Sequence, residues 1–188
     1  MKLRNTESYY GLVAQFLHWS VVLLILIQYG LVLIFGDMPL GLEKIAWIVR
    51  HKAVGMTVLA LACIRLTWRL FNPAPPLPSH MKPYERWGAH ASHALLYILI
   101  FSIPLSGWVM SSLAGIPVSY FGLFDIPVLT SPDKSLVEAS KQVHFWLNSL
   151  LAVVASLHIG AAFYHHGFKQ DEVLVRMLPG VLMRRDKP

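Results

Sequence analysis

Charge is scarce in this chain. Only 14% of its residues are charged while 55% are hydrophobic, whereas soluble domains carry about 25% charged residues. With a positive mean hydropathy, this balance excludes an ordinary water-soluble domain. Cysteine is nearly absent, and the lone Cys63 has no disulfide partner and reads as a small core residue. Internal repeats and low-complexity tracts are also missing. The first apolar run exceeds twenty residues and has no small-residue cleavage site after it, so it is expected to stay as a helix and not to leave as a signal peptide.

What is present is long apolar runs. Four stretches suit a hydrocarbon core of about 30 Å, which a helix of roughly 20 apolar residues crosses: residues 11–35, 51–71, 84–115 and 137–167. They predict an all-α membrane protein, with four transmembrane helices in an up-down-up-down bundle and one domain over residues 1–188. Residues 43–47 read as a short helical lead-in before the second span. The aromatic patch Val118 to Phe124 reads as an amphipathic segment lying on the membrane surface, and the connector Asn72 to Pro83, with five prolines, as a stiff link between two hairpins.

The net charge of +6 is a statement about topology. Eleven Lys and Arg fall on the side of the N-terminus, the middle loop and the C-terminal tail, and five (Lys44, Arg50, Lys52, Lys134, Lys141) on the other. The positive-inside rule then places both termini and the middle loop in the cytoplasm. Such basic charge serves contact with anionic lipid and gives no reason to expect nucleic acid.

Histidines carry the chemistry. His18, His51, His144 and His158 lie within or at the head of a span, where an unsatisfied polar group costs several kcal/mol. On the last helix, His144 and His158 are about 3.9 turns apart, so both leave one face some ~21 Å from each other. Depth pairs His18 with His158 near the cytoplasmic face and His51 with His144 near the outer face, each pair drawn from two helices. An axial bis-histidine haem needs that arrangement, with a flat slot between helices. Small residues admit the porphyrin: Gly55 after His51, and Gly160 to Ala162 after His158. Interhelical hydrogen bonds are the bland alternative. Zinc would want four ligands, with cysteine or closer histidines, and copper would favour methionine or cysteine beside the histidines.

The stretches AQFLHWSVV, WIVRHKAVG, GAHASHALLYILI, QVHFWLNSLL and SLHIGAAFYHHGFKQDEVLVRMLP resemble the bacterial cytochrome b561 family over nearly the whole chain. The resemblance implies two b-type haems in the inner (cytoplasmic) membrane, with His18 and His158 ligating one and His51 and His144 the other. It also implies a quinone-linked oxidoreductase that exchanges electrons between a periplasmic donor, superoxide in characterised relatives, and the membrane quinone pool, with ubiquinone as substrate. The alternative, carried by similar dehydrogenase subunits, is a cytochrome b anchor that passes electrons from a separate redox partner. Quinone and proton candidates are His90, His93, His165 and His166, with residence in the headgroup layer as the other reading. Arg65 and Arg69 face haem propionates or lipid phosphate, and Arg50 and Lys52 pose the same choice for the outer haem. Catalytic residues, electron donor and assembly into a homo-oligomer stay open.

Overall fold

In a computed structural model, residues 2–178 are described. Most of them form four helices: α1 (Leu12–Phe35), α2 (Leu42–Phe71), α3 (Pro83–Leu113) and α4 (Lys134–Gly167). Each contains an apolar window long enough to cross a membrane, so the chain is an all-α, four-span membrane protein. Outward side chains such as Leu33 and Phe71, 82% and 80% exposed, suit a lipid solvent.

Each helix begins where local chemistry satisfies its first N–H groups. The N-terminal lead folds back on α1: Leu12 N donates to Lys2 O at 3.1 Å and Val13 N to Leu3 O at 3.4 Å, covering donors that a helix start leaves orphaned. Only glycine permits this closeness at position 11, where a Cβ would stand 2.3 Å from Leu3 O. At α3, Pro83 occupies the first helical position, which needs no N–H, and Glu85 accepts from Lys82 N at 2.9 Å, half of a capping box. Asp133 caps α4 by accepting from Ser135 N at 2.9 Å.

Three boundaries differ from expectation by more than one residue, among them the start of α4, at Lys134 and not at 137. The second span was placed at 51–71, but α2 starts at Leu42, so the lead-in is continuous with it and His51 lies more than two turns inside the helix. Charges that are costly in hydrocarbon are accommodated at this helical end: Glu43 suits the positive pole of the helix dipole, and Lys44 Nζ donates to Met38 O at 2.8 Å. At the other end of α3, Gly115 takes φ 72°, with Gly115 N on Ser112 O at 2.9 Å and Ile116 N on Ser111 O at 3.0 Å. That double closure ends the helix at Leu113.

The aromatic patch forms a β-hairpin. Strands β1 (Val118–Tyr120) and β2 (Phe124–Ile126) pair antiparallel with Tyr120 opposite Phe124. Positive φ at Phe121 and Gly122 gives the turn that matches strand twist, and the Tyr120 and Phe124 rings stack at 5.2 Å.

Two compact units make up the chain. One takes in Met1–Ser20, Cys63–Leu96 and Ala152–Pro188, the other Val21–Ala62 and Tyr97–Leu151. Each contains a section of all four helices. Within the first unit, the segment after α4 straps back onto α1: Trp19 Nε1 donates to Met177 O at 2.9 Å and Gln15 Nε2 to Arg176 O at 3.3 Å. The expected cytoplasmic ends of the chain, Met1 and residues 179–188, lie outside the described residues.

Candidate functional site

The second unit holds His51 on α2 and His144 on α4. Their ring centroids are 6.4 Å apart with the planes at 84°. Two imidazoles on opposite sides of one metal, each at a bond length of about 2 Å, put their centroids about 6 Å apart. The spacing therefore leaves room for one iron between the two rings.

His144 is held in a definite orientation. Pro104 lies inside α3, where a proline removes a backbone donor and bends the helix. Just beyond it, Ser106 Oγ donates to Ile103 O at 2.7 Å and stands 2.8 Å from His144 Nδ1. The hydroxyl has one hydrogen, already given to the carbonyl, so Nδ1–H is the donor to Oγ. Nε2 is left with its lone pair, the atom a metal needs. Gly107 makes space for the ring, since a Cβ there would lie 3.2 Å from His144 Cε1.

His51 is placed by its backbone, whose carbonyl accepts from Gln28 Nε2 at 3.0 Å. Gly55 is explained by the same contact, because a Cβ at 55 would meet Gln28 Nε2 at 3.0 Å. Gly107 is the glycine that meets a histidine ring, whereas Gly55 meets the Gln28 amide. Among the described residues, buried Nδ1 of His51 has no hydrogen-bond partner, and neither has Nδ1 of His18 in the other unit. Buried imidazole nitrogens left over by the protein, and a glycine cradle under one ring, fit an axially ligated haem.

In the first unit, His18 on α1 lies within charge range of Arg65, His158 and His93. The ring brought closest to His158 is that of His93, at 5.2 Å and 60°. Gly88 and Gly160 both face open space, with no atom within 4 Å of a Cβ. Arg65 is half-buried beside His18 and His158, and Arg69 beside His93. Among the described residues, no three His, Cys, Asp or Glu side chains converge as a bare-ion site would need.

The remaining candidates separate by surroundings. His90 and His166 are exposed, whereas His165 is buried with Nδ1 bonded to Asp171 Oδ2. Arg50 lies 4.6 Å over the Trp47 ring, and Lys52 Nζ donates to Ser111 Oγ at 2.7 Å. Sequence reasoning missed Ser106, Gln28 and Asp171. For Ser106 a signal existed, a hydroxyl two residues after the only proline inside a helix of the described chain.

The sequence model of prokaryotic cytochrome b561 matches residues 9–180. Cytochrome b561 homolog 2 of Escherichia coli (strain K12) is 32% identical over 189 residues, 95% of each chain. The probable superoxide oxidase CybB of Yersinia pestis is 29% identical over 87% of this chain and 92% of its own. Cytochrome b561 homolog 1 of Escherichia coli (strain K12) is 29% identical over 87% and 93%.

Proposed function

Since the chain belongs to the prokaryotic cytochrome b561 family, a family of b-type haem electron carriers in the membrane, we propose that it holds two haems and exchanges electrons between a periplasmic donor and the quinone pool. His51 and His144 hold the outer haem, and His18 and His158 the inner one. The observation that carries this reading is the 6.4 Å separation of the His51 and His144 rings, with Ser106 committing His144 Nε2 to a ligand. A bound haem supplies one-electron exchange at a potential set by its axial ligands and surroundings.

Around those ligands the chain's own residues take specific parts. Ser106 orients His144, Gly107 gives the ring its room, and Gln28 fixes the backbone of His51. Arg65 and Arg69 are the cations offered to propionates on the inner side, and Arg50 and Lys52 on the outer side. Quinone, of the ubiquinone type, docks near the cytoplasmic face, where His90, His93, His165 and His166 are the proton-exchanging candidates. Both ends of a single domain over residues 1–188 face the cytoplasm of a bacterial inner membrane, by the distribution of basic residues.

Superoxide is the donor we propose, because a relative carries the name of a probable superoxide oxidase. The five basic and five acidic residues of the outer side supply no strong field to draw an anion, so capture is expected to depend on local cations such as Arg50. The test is direct. Purified protein should show low-spin b-type bands and two haems per chain, and its bands should bleach or appear on stopped-flow mixing with quinone or superoxide. A single haem per chain, or bands inert to both, defeats the reading. Reporter domains fused to each end should both report the cytoplasm.

A further inference from the structure

Among the described residues of its unit, Asp171 is the most deeply buried carboxylate, its side chain only 2% exposed. A buried anion needs a cation or several donors. Asp171 Oδ1 accepts from Val173 N at 3.1 Å, and Oδ2 is shared by two imidazoles. Buried His165 bonds to it through Nδ1, and His80, from the proline-rich connector, places Nε2 3.6 Å away with 60% of its side chain exposed. One carboxylate oxygen thus faces an enclosed imidazole on one side and a water-exposed imidazole on the other.

We propose that His80, Asp171 and His165 form the proton-exchange unit of the quinone site, with His165 as the group that meets quinone and Asp171 and His80 as positioning residues. The proposal rests on the quinone reading above and selects among its four candidate histidines. Asp171, an acceptor only, keeps the proton of His165 on Nδ1, so that Nε2 is the atom that gains or loses one. Reduction of a quinone to a quinol takes two electrons and two protons, the electrons coming from the haem chain. One of those protons leaves His165 Nε2 for one quinone oxygen, and cytoplasmic water supplies the other to the second oxygen. Asp171 then loses its cation, and His80 takes a proton from cytoplasmic water to replace it. Charge beside the buried carboxylate is conserved, and the desolvation cost of a lone anion is avoided.

Other charged groups bear on the trio. Glu85 on α3 lies within charge range of His165 but is bonded to Lys169 at 3.0 Å, which neutralises it and holds the Lys169 ammonium above its ordinary range. His166, the next residue on α4, is exposed, and Tyr164 meets the His165 ring edge-on at 5.9 Å.

The test uses the full-length protein with its haems, reduced beforehand and mixed with a short-chain ubiquinone across a range of pH. Asp171→Asn should slow quinone-linked haem oxidation about a hundredfold, with Asp171→Glu recovering part of it. His80→Gln, at an exposed position where folding is safe, should slow it about tenfold and flatten its pH profile. Added imidazole should restore His80→Gln, which it would not do for a structural defect. Haem bands should match wild type in all three. Wild-type rate and pH profile in both Asp171→Asn and His80→Gln overturn the proposal, as does a slow His80→Gln that imidazole leaves slow. A wild-type protein that quinone does not oxidise overturns the quinone reading and this proposal with it.

Discussion

A single hydroxyl decides what His144 can bind. Ser106 spends its hydrogen on Ile103 O and so receives His144 Nδ1–H; without it the ring can rotate or take the other tautomer, and Nε2 is no longer committed to a metal. Ser106→Ala should weaken haem retention at that site about tenfold to a hundredfold, read as loss of one haem per chain during titration with a competing apoprotein. Gly107→Val should be more severe, because its Cβ would fall 3.2 Å from the ring and its methyls nearer still. Reconstituted Gly107→Val is expected to hold one haem, and two haems with wild-type bands would refute the cradle. The sequence made the four imidazoles legible, because a polar ring in an apolar run has few reasons to be there. It could not reveal Ser106 or Asp171, because serine and aspartate occur for many reasons and only the fold brings them to an imidazole nitrogen. His93 beside His158 was equally out of reach, since depth along a span says nothing about rotation around it.

Elements tell the same story at their ends. Apolar runs located all four helices, since each span must satisfy its backbone internally in lipid, but the runs mark hydrocarbon and not helix. Leu42 to Arg50 is helical although it carries Glu43, Lys44 and Arg50, and the polar residues that disqualified it as a membrane span are compatible with a helix in the headgroup layer. Where a cap exists the boundary can be tested. Asp133 caps α4, and its hydrogen bonds from the Ser135 hydroxyl and then the Ser135 backbone hold its carboxyl below the ordinary range. A group whose folded-state pKa is depressed contributes stability above its unfolded value and loses it as pH falls through the folded one. Thermal stability at the start of α4 should therefore fall in acid, below the usual carboxylate range. Asp133→Asn should keep most of the cap at neutral pH while flattening that acid dependence, and Asp133→Ala should lower the melting temperature at both. Equal acid sensitivity in Asp133→Asn and wild type would assign the loss to other carboxylates.

For the whole molecule the telling feature is that the two proposed ligand pairs fall in different units. His51 and His144 belong to Val21–Ala62 and Tyr97–Leu151, while His18 and His158 belong to the unit containing Met1–Ser20 and Ala152–Pro188. Mutations at sites that share no partner add, whereas those in one network do not. Among the described residues, Ser106, Gln28 and Gly107 meet His51 or His144 and neither His18 nor His158. His144→Ala should therefore remove one haem and leave the bands and midpoint potential of the other near wild type. His18→Ala should do the reverse, and the double variant should be colourless. Haem per chain and a redox titration of each variant decide the matter. Loss of both haems in either single variant would mean that one cofactor holds the other's unit together, and the pairing by unit would have to be abandoned. Retention of both in His144→Ala would show that another side chain, not His144, faces His51 across the iron.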